Sequence, residues 1–119
     1  MANLQEYQRK RNFKKTSEPK GKVKKPNKKL RFVVQHHLAS HDHYDLRFEW
    51  DGVLKSFALP KGPSYRACDK RLAVMVEDHP FSYRNFEGVI PKGEYGGGIV
   101  MLWDEGYWNL ISDVKKPFV

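Results

Sequence analysis

The sequence has little cysteine and no long apolar segment. Its 119 residues include a single cysteine, Cys68, which excludes an internal disulfide framework and indicates a reducing compartment. No apolar run approaches the roughly 20 residues that cross a bilayer, and the N-terminus lacks the apolar core of a secretory signal. These absences predict a cytoplasmic protein without a membrane anchor.

Acidic residues are scarce at the N-terminus. Residues 1–30 hold 11 Lys/Arg and 2 Asp/Glu, a net charge of +9, whereas residues 31–119 hold 11 Lys/Arg and 12 Asp/Glu, a net charge of −1. This division predicts a basic leader and linker over 1–30 and one small domain over 31–119. The Lys-rich stretch 20–30 indicates an exposed arm: either a solvated tail, or a polyanion-binding segment that displaces counterions from phosphates.

The remainder lacks long helical patterns and is typical of a β protein. Residues 43–50 alternate polar and apolar side chains without a break, which predicts a strand. Asp51-Gly52 then predicts a two-residue hairpin turn. Asp104-Glu105-Gly106 predicts a second hairpin, between strands 98–103 and 107–111. The other predicted strands cover 31–34, 53–59 and 71–77. Many short strands favour an all-β fold, a small antiparallel barrel or sandwich.

Four of the five histidines fall within eight residues, next to and on the predicted strand 43–50. His43, Asp45 and Arg47 share one strand face, and His37 lies close enough in sequence to return to it. Two imidazoles and a carboxylate make a three-ligand site with open positions, which suits a catalytic manganese, zinc or iron ion. Arg47 is a planar cation suited to phosphate oxygens. Metal, arginine and a basic arm together indicate phosphoester chemistry.

Competing interpretations remain at this point. The strand could be an ordinary half-buried one with a wet polar face. The His41-x-His43 pair with the later Glu49 is loosely similar to a cupin-type metal site, and a basic β-barrel rich in aromatic residues could bind nucleic-acid ends without chemistry. His79 follows an apolar strand and is a weaker candidate for exchanging a proton with a phosphate. Lys61 lies between two prolines, which hints at fixed placement.

Several motifs then occur together in one order. QHHLASHDHYDLRFEWDGVLKSFALPKGPS, RLAVMVEDHPFSYRNFEGVIPKGEYGGG and VMLWDEGYW resemble the phosphoesterase module of the bacterial end-joining DNA ligase D and its stand-alone archaeal relatives. The leader YQRKRNFKKTSEP resembles the same family. The resemblance implies a compact β-barrel that uses manganese, with zinc or cobalt as alternatives, to remove a 3′-phosphate or a 3′-terminal ribonucleotide. DNA or RNA 3′ ends would be its partners, together with a separate repair ligase or polymerase, and the protein would be a monomer.

The resemblance also implies site residues. Its metal ligands fall on His37, His43 and Asp45. The phosphate-contacting and catalytic positions fall on Arg47, His79, Tyr83 and Lys61, and further substrate-site positions fall on Arg11, Glu18, Gln35 and Glu77. The leader residues Arg11 and Glu18 are therefore expected to fold back onto the active site.

The sequence also departs from the family pattern. Asn12 replaces a usual Asp, which puts the balance between the two activities in question; His36 replaces a common Lys, and Asp42 a common Leu. The longer bacterial modules continue beyond the position of Val119, so we expect either a minimal version or a barrel that lacks an edge.

Overall fold

A computed structural model describes residues 3–64, 66–111 and 117–118, and β-strands are its main regular structure. The strands are β1 Leu30–Leu38, β2 Asp42–Trp50, β3 Val53–Leu59, β4 Val74–Met75, β5 His79–Pro80, β6 Gly88–Ile90 and β7 Gly98–Trp108. Helical structure in the described residues is limited to α1, Gln5–Arg9, and a 3₁₀ helix, Phe81–Asn85. The predicted all-β class is confirmed. None of the described helices is long and apolar enough to cross a membrane.

The strands form one antiparallel sheet. Its order is β4-β3-β2-β1-β7-β6, and β5 pairs separately with β3. In the described part of the chain β4 and β6 lie at opposite ends of this path, so the sheet is open rather than closed into a barrel.

The hairpin predicted at Asp51-Gly52 is confirmed. Trp50 pairs with Val53 across the turn, and both turn residues have positive φ, 53° and 84°. That backbone conformation belongs to the two-residue turns that match strand twist, and it favours glycine at the second position.

The second predicted hairpin is wrong. Residues 98–108 form one continuous strand, β7, and residues 104–106 pair with residues 32–34 of β1. The long strand β1 provides a partner along almost the whole of β7, so the backbone groups around Asp104-Glu105-Gly106 are satisfied without a reversal. A register irregularity between Val34 and Gln35 accommodates the extra length. Of the predicted strand 71–77 only Val74–Met75 forms a strand, and the Val76 N–H also donates to the Ser56 carbonyl oxygen.

The burial of the sheet reverses the pattern of an ordinary half-buried strand. We call the face that carries Gln35, Asp45 and Arg47 the inner face; all three side chains are buried. The alternate residues of β2 define the outer face; those from Tyr44 to Trp50 are only partly buried, and Asp42 is exposed. The interpretation of β2 as a strand with a wet polar face is therefore wrong.

The inner face is covered by the N-terminal leader and the 3₁₀ helix. Apolar side chains from α1, β3, β6, β7 and the 3₁₀-helix region form the core there: Tyr7, Leu54, Tyr83, Phe86, Ile90 and Val100. Tyr7 is completely buried, and its hydroxyl donates to the Pro19 carbonyl oxygen. The leader is thus part of the folded domain, and the proposed division at residue 30 does not coincide with a break in packing.

The Lys-rich stretch that follows the leader is also held against the sheet. Gly21 lies so close to the Pro80 ring that an added Cβ would overlap it. The Lys24 N–H donates to the Gly52 carbonyl oxygen over 3.1 Å, and Lys24 Nζ lies 2.7 Å from a Glu49 carboxylate oxygen. The expectation of a wholly solvated arm over 20–30 therefore does not hold, because Lys24 crosses the β2–β3 turn in a fixed position.

Candidate metal centre and adjoining pocket

The register between β1 and β2 brings the predicted metal ligands together. His37 lies directly opposite His43, and Gln35 lies opposite Asp45. Because side chains two residues apart share a strand face, His37, His43 and Asp45 converge at one end of the inner face. Their candidate ligand atoms all lie within 4.8 Å of one another.

In both histidines, the ring nitrogen that points away from Asp45 is held by a backbone carbonyl group. The Nε2 atom of His37 lies 2.7 Å from the Gly96 carbonyl oxygen, and the Nδ1 atom of His43 lies 3.0 Å from that of His41. The opposite nitrogens face Asp45: His37 Nδ1 at 3.6 Å and His43 Nε2 at 3.2 Å from its carboxylate. When the ring is neutral, donation to the carbonyl oxygen leaves the lone pair on the inward nitrogen, which is how metal-binding histidines are usually oriented. When the ring is protonated, the inward nitrogen donates to Asp45 instead. The donor set therefore fits a divalent ion.

The local electrostatics favour an ionised Asp45. Burial alone would raise its pKa, but the Arg47 guanidinium and the hydrogen bonds from His37 and His43 outweigh burial and hold the pKa well below its usual range. The pKa of His43 is raised, mainly by its hydrogen bond with Asp45. A permanently charged carboxylate between two imidazoles is the arrangement a cation requires.

Arg47 lies on the same face as Asp45, and one of the terminal nitrogens of its guanidinium is unpaired in the described residues. Its Nε donates to Gln35 Oε1 over 2.7 Å, and one terminal nitrogen donates to Asp45 over 3.2 Å. Its other terminal nitrogen, Nη1, is buried and has no hydrogen-bond partner among the described residues. An unpaired guanidinium N–H in such a place is costly unless an anion binds to it. Gln35 is fully buried and also donates to the Tyr83 and Phe86 carbonyl oxygens, so it orients Arg47.

His79 lines the same pocket as Arg47, in a neutral form. Its Nδ1 lies 3.0 Å from the Glu77 carbonyl oxygen, and its Nε2 lies 3.3 Å from an Arg11 guanidinium nitrogen. Arginine only donates, so His79 Nε2 accepts and the ring proton is on Nδ1. Burial first, and then the charges of Arg47 and Arg11, lower the pKa of His79 well below its usual value.

The leader contributes charged groups to the same pocket, as the sequence predicted. The Arg11 Nε lies 3.1 Å from Glu18 Oε2, and its Nη1 lies 3.3 Å from Glu77. Tyr83 donates its hydroxyl to Glu18 over 2.7 Å, and burial raises the pKa of Tyr83. Glu18 therefore receives donors from two elements that are far apart in sequence, and this ties the leader to the 3₁₀ helix.

These groups surround a pocket of about 190 Å³. Its lining includes nine of the predicted site residues: Arg11, Glu18, His37, His43, Asp45, Arg47, Glu77, His79 and Tyr83. Gln35 lies buried behind it, and Lys61 is exposed and does not line it.

Sequence reasoning missed three contributors to this region. The Gly96 carbonyl oxygen orients His37, although the glycine-rich run around it indicates only a turn. Thr16 is buried and donates to Glu18 over 2.9 Å, and Lys10 lies 3.2 Å from Glu77. The sequence carries no signal for the Gly96 contact, because any residue could supply that carbonyl.

Comparison with known proteins agrees with this geometry. Residues 35–118 match the family model described as the DNA ligase D 3′-phosphoesterase domain. The chain is 53% identical over 117 residues to the multifunctional non-homologous end joining protein LigD of Pseudomonas aeruginosa, and 49% identical over 107 residues to that of Mycolicibacterium smegmatis. These alignments cover 95% and 89% of the chain, but only 14% of each relative.

The match is therefore to one module of much longer proteins. It includes the candidate metal ligands and the pocket residues from β1 onwards, and the longest alignment also includes most of the leader. The family resemblance expected from the motifs is confirmed, and the chain belongs to the DNA ligase D 3′-phosphoesterase domain family.

Proposed function

We propose that this protein is a metal-dependent phosphoesterase that repairs the 3′ ends of nucleic acids. It would remove a 3′-phosphate or a 3′-terminal ribonucleotide and leave a 3′-hydroxyl for ligation or synthesis. The observation that carries the proposal is the convergence of three metal-ligand side chains with the unpaired Nη1 of Arg47 in one pocket. Family membership and the end-joining names of the relatives support the same substrate class.

The residues divide into those that would hold an ion and those that would hold the phosphate. His37, His43 and Asp45 would bind a divalent cation, with manganese as the first candidate, and the ion would supply Lewis-acid stabilisation of a phosphoryl oxygen. Arg47 Nη1 would donate to another oxygen of the same group. In the reaction water adds to phosphorus, the bond from phosphorus to the 3′ oxygen breaks, and that oxygen takes up a proton.

Positive charge opposite the phosphate comes from arginine rather than from histidine. His79 is neutral because its pKa is lowered, so its contribution is to accept from Arg11 and hold that guanidinium in the pocket. Glu18 and Glu77 bind the other donors of Arg11 and fix its orientation. Fixed cations of this kind stabilise charge that develops on a transferring phosphoryl group, and each is worth about 3 kcal/mol.

The direct test is phosphate release from a 3′-phosphorylated primer–template in the presence of Mn²⁺. We expect chelation to abolish turnover, and His43→Ala or Asp45→Ala to reduce it at least 100-fold, an order-of-magnitude figure for the loss of a metal ligand. Shortening of an end-labelled primer with a 3′-ribonucleotide end, followed on a gel, would measure the second activity, whose balance is of interest because of Asn12.

Matched controls come from the opposite face of the same strands. His36 lies next to His37 and Asp42 next to His43, and the two pair with each other over 2.6 Å, away from the pocket. We expect His36→Ala and Asp42→Asn to keep turnover within about twofold, as surface changes outside the site do. A protein that only binds ends would show no turnover, and its affinity for the ends would be insensitive to chelation. Near-wild-type turnover of Asp45→Ala would refute the metal assignment.

A further inference from the structure

The basic strap, defined as residues 20–29, begins at the pocket and ends at the far end of the sheet. Glu18, two residues before it, lines the pocket, and Gly21 packs on Pro80, next to His79. Lys24 then crosses the β2–β3 turn, which lies at the opposite end of β2 from His43. The strap therefore follows a defined path away from the site.

Contacts on both sides hold the strap in place while most of its lysines face solvent. Lys24 is the one lysine of the strap that is paired in the described residues, through Glu49, and its ammonium also lies 4.5 Å from the centre of the Phe81 ring. Five lysines are exposed and form no ion pair with any described residue: Lys20, Lys22, Lys25, Lys28 and Lys29. Fixing the backbone in advance lowers the entropy cost of binding through these side chains.

The far end of the strap joins a cation-rich aromatic corner. Lys29 Nζ lies 4.4 Å from the centre of the Tyr107 ring, and the Arg31 guanidinium lies 5.0 Å from it. Tyr107 is 52% exposed, so this ring is accessible beside the two cations. Glu105 pairs with Arg31 over 3.4 Å and offsets part of the charge, but it leaves Lys28 and Lys29 unpaired.

We propose that the basic strap binds the sugar–phosphate backbone of the substrate on the side of the pocket that leads away from the scissile end. The inference rests on the proposed function. Arg31 and His37 lie six residues apart on β1, or about 20 Å at the usual rise of a strand. That distance spans about six base pairs of duplex. Nucleic acid is favoured over other polyanions because the strap is continuous with a phosphoester pocket.

The test compares two variants, each of which replaces a pair of lysines that are neighbours in the sequence. Lys28→Gln/Lys29→Gln removes two positive charges from the strap, and Lys14→Gln/Lys15→Gln removes the same charge from an exposed turn of the leader outside it. The probe is a fluorescent DNA hairpin with a 14-base-pair stem and a 3′-hydroxyl end, read by anisotropy. This measurement requires no catalysis, so it remains informative if phosphate release fails and the proposed function falls.

We expect the strap variant to bind the hairpin roughly tenfold more weakly at moderate salt and to lower the slope of log Kd against log salt by about 2. The leader variant should match wild type within about twofold. In the phosphate-release assay, KM for a 3′-phosphorylated hairpin should rise in the strap variant, whereas kcat, and kcat/KM for a 3′-phosphorylated dinucleotide, should not change.

Three results would overturn the proposal. The first is equal loss of binding in the two variants, which would indicate a general charge effect. The second is unchanged hairpin affinity in a strap variant whose thermal unfolding matches wild type. The third is tighter binding of phosphatidylserine vesicles than of the hairpin, lost in the strap variant, which would assign the strap to a membrane surface.

Discussion

On the inner face of β2, Asp45, Arg47 and Glu49 are exposed by 7%, 3% and 1%, whereas the aromatic side chains on its outer face remain partly exposed. Charged groups are seldom buried unless they are paired, and here each has a partner from another element or from the same strand. The protein thus places costly ionic groups where shape and low dielectric strengthen them, and leaves part of its aromatic surface near water. The comparison shows that in β2 burial follows the pairing of the ionic groups rather than hydrophobicity.

The outer face is held by aromatic contacts instead. Phe48 packs edge-on against Phe57 and Trp108, and Phe118 lies 5.8 Å from the Phe48 ring centre. Such contacts contribute area burial and about 1 kcal/mol per pair beyond it. The two faces therefore ought to respond differently to substitution: the inner one in activity and the outer one in stability.

The largest expected effect, on kcat, comes from replacing Arg47 and its unpaired Nη1. Arg47→Gln keeps a polar side chain but removes the charge and the unpaired donor, so kcat for phosphate release should fall by about 100- to 1000-fold. The measurement is steady-state phosphate release alongside Mn²⁺ binding by paramagnetic resonance. Retained Mn²⁺ binding is expected, because Arg47 is not a ligand. Activity within tenfold of wild type would show that the inner face does not carry the chemistry.

Substitution on the outer face is expected to have a smaller effect, on stability rather than on activity. Phe48→Ala removes a half-buried ring and should lower the free energy of unfolding by about 2 kcal/mol, with kcat unchanged at temperatures where the variant is folded. Urea unfolding and phosphate release on the same preparation provide the check. A loss of kcat without a loss of stability would break the contrast between the faces.

The support of the metal centre can be probed through the backbone of Gly96. Its carbonyl orients His37, and its φ of 75° is unfavourable for a residue with a Cβ. Gly96→Ala should therefore shift the carbonyl and weaken Mn²⁺ binding about tenfold, the usual size of an effect transmitted to a ligand. Titration calorimetry with Mn²⁺ measures it. Gly93→Ala is the control from the same loop, because its φ of 95° imposes similar backbone strain while an added Cβ there meets nothing within 4 Å. Equal affinities in all three proteins would contradict the role of this carbonyl.

The smallest expected effect is a pH dependence of stability that arises from the buried His79. His79 has a lowered pKa in the fold and an ordinary one, about 6.5, when unfolded, so the unfolded state gains a proton first as the pH falls. The contribution of His79 to stability is present above pH 6.5 and is lost below it, by about 1 kcal/mol between pH 7 and 5.5.

Urea unfolding of the metal-free protein at these two pH values tests the sign. His79→Gln should show a smaller loss of stability than wild type, and His41→Gln, an exposed histidine outside the pocket, should match wild type. Parallel behaviour of His79→Gln and wild type would mean that His79 is not buried in its neutral form.

Much of the metal site was predictable because it depends on local periodicity. The alternation over 43–50 placed His43, Asp45 and Arg47 on one face, and the observed β2 has that register. His37 required only that β1 run back antiparallel beside it. The family motifs added Arg11 and Glu18, which no periodicity connects to the pocket, and the structure brings both to it.

Other features could not be predicted from local sequence. Asp104-Glu105-Gly106 has turn chemistry, but pairing with β1 overrides it, since a long partner strand satisfies the backbone groups that a turn would otherwise leave unpaired. Which face of β2 is buried could not be predicted either, because alternation defines two faces without indicating which of them other elements cover.

The sequence by itself determined the strand alternation, the turn at Asp51-Gly52, the charge division at residue 30 and, through its motifs, the family. The tertiary structure decided which face of β2 is buried, that Gly96 orients His37, and that the basic strap is fixed to the sheet rather than free. The reason is physical: periodicity and turn propensity are properties of neighbours in the chain, whereas burial, tautomer and docking depend on groups that only folding brings together.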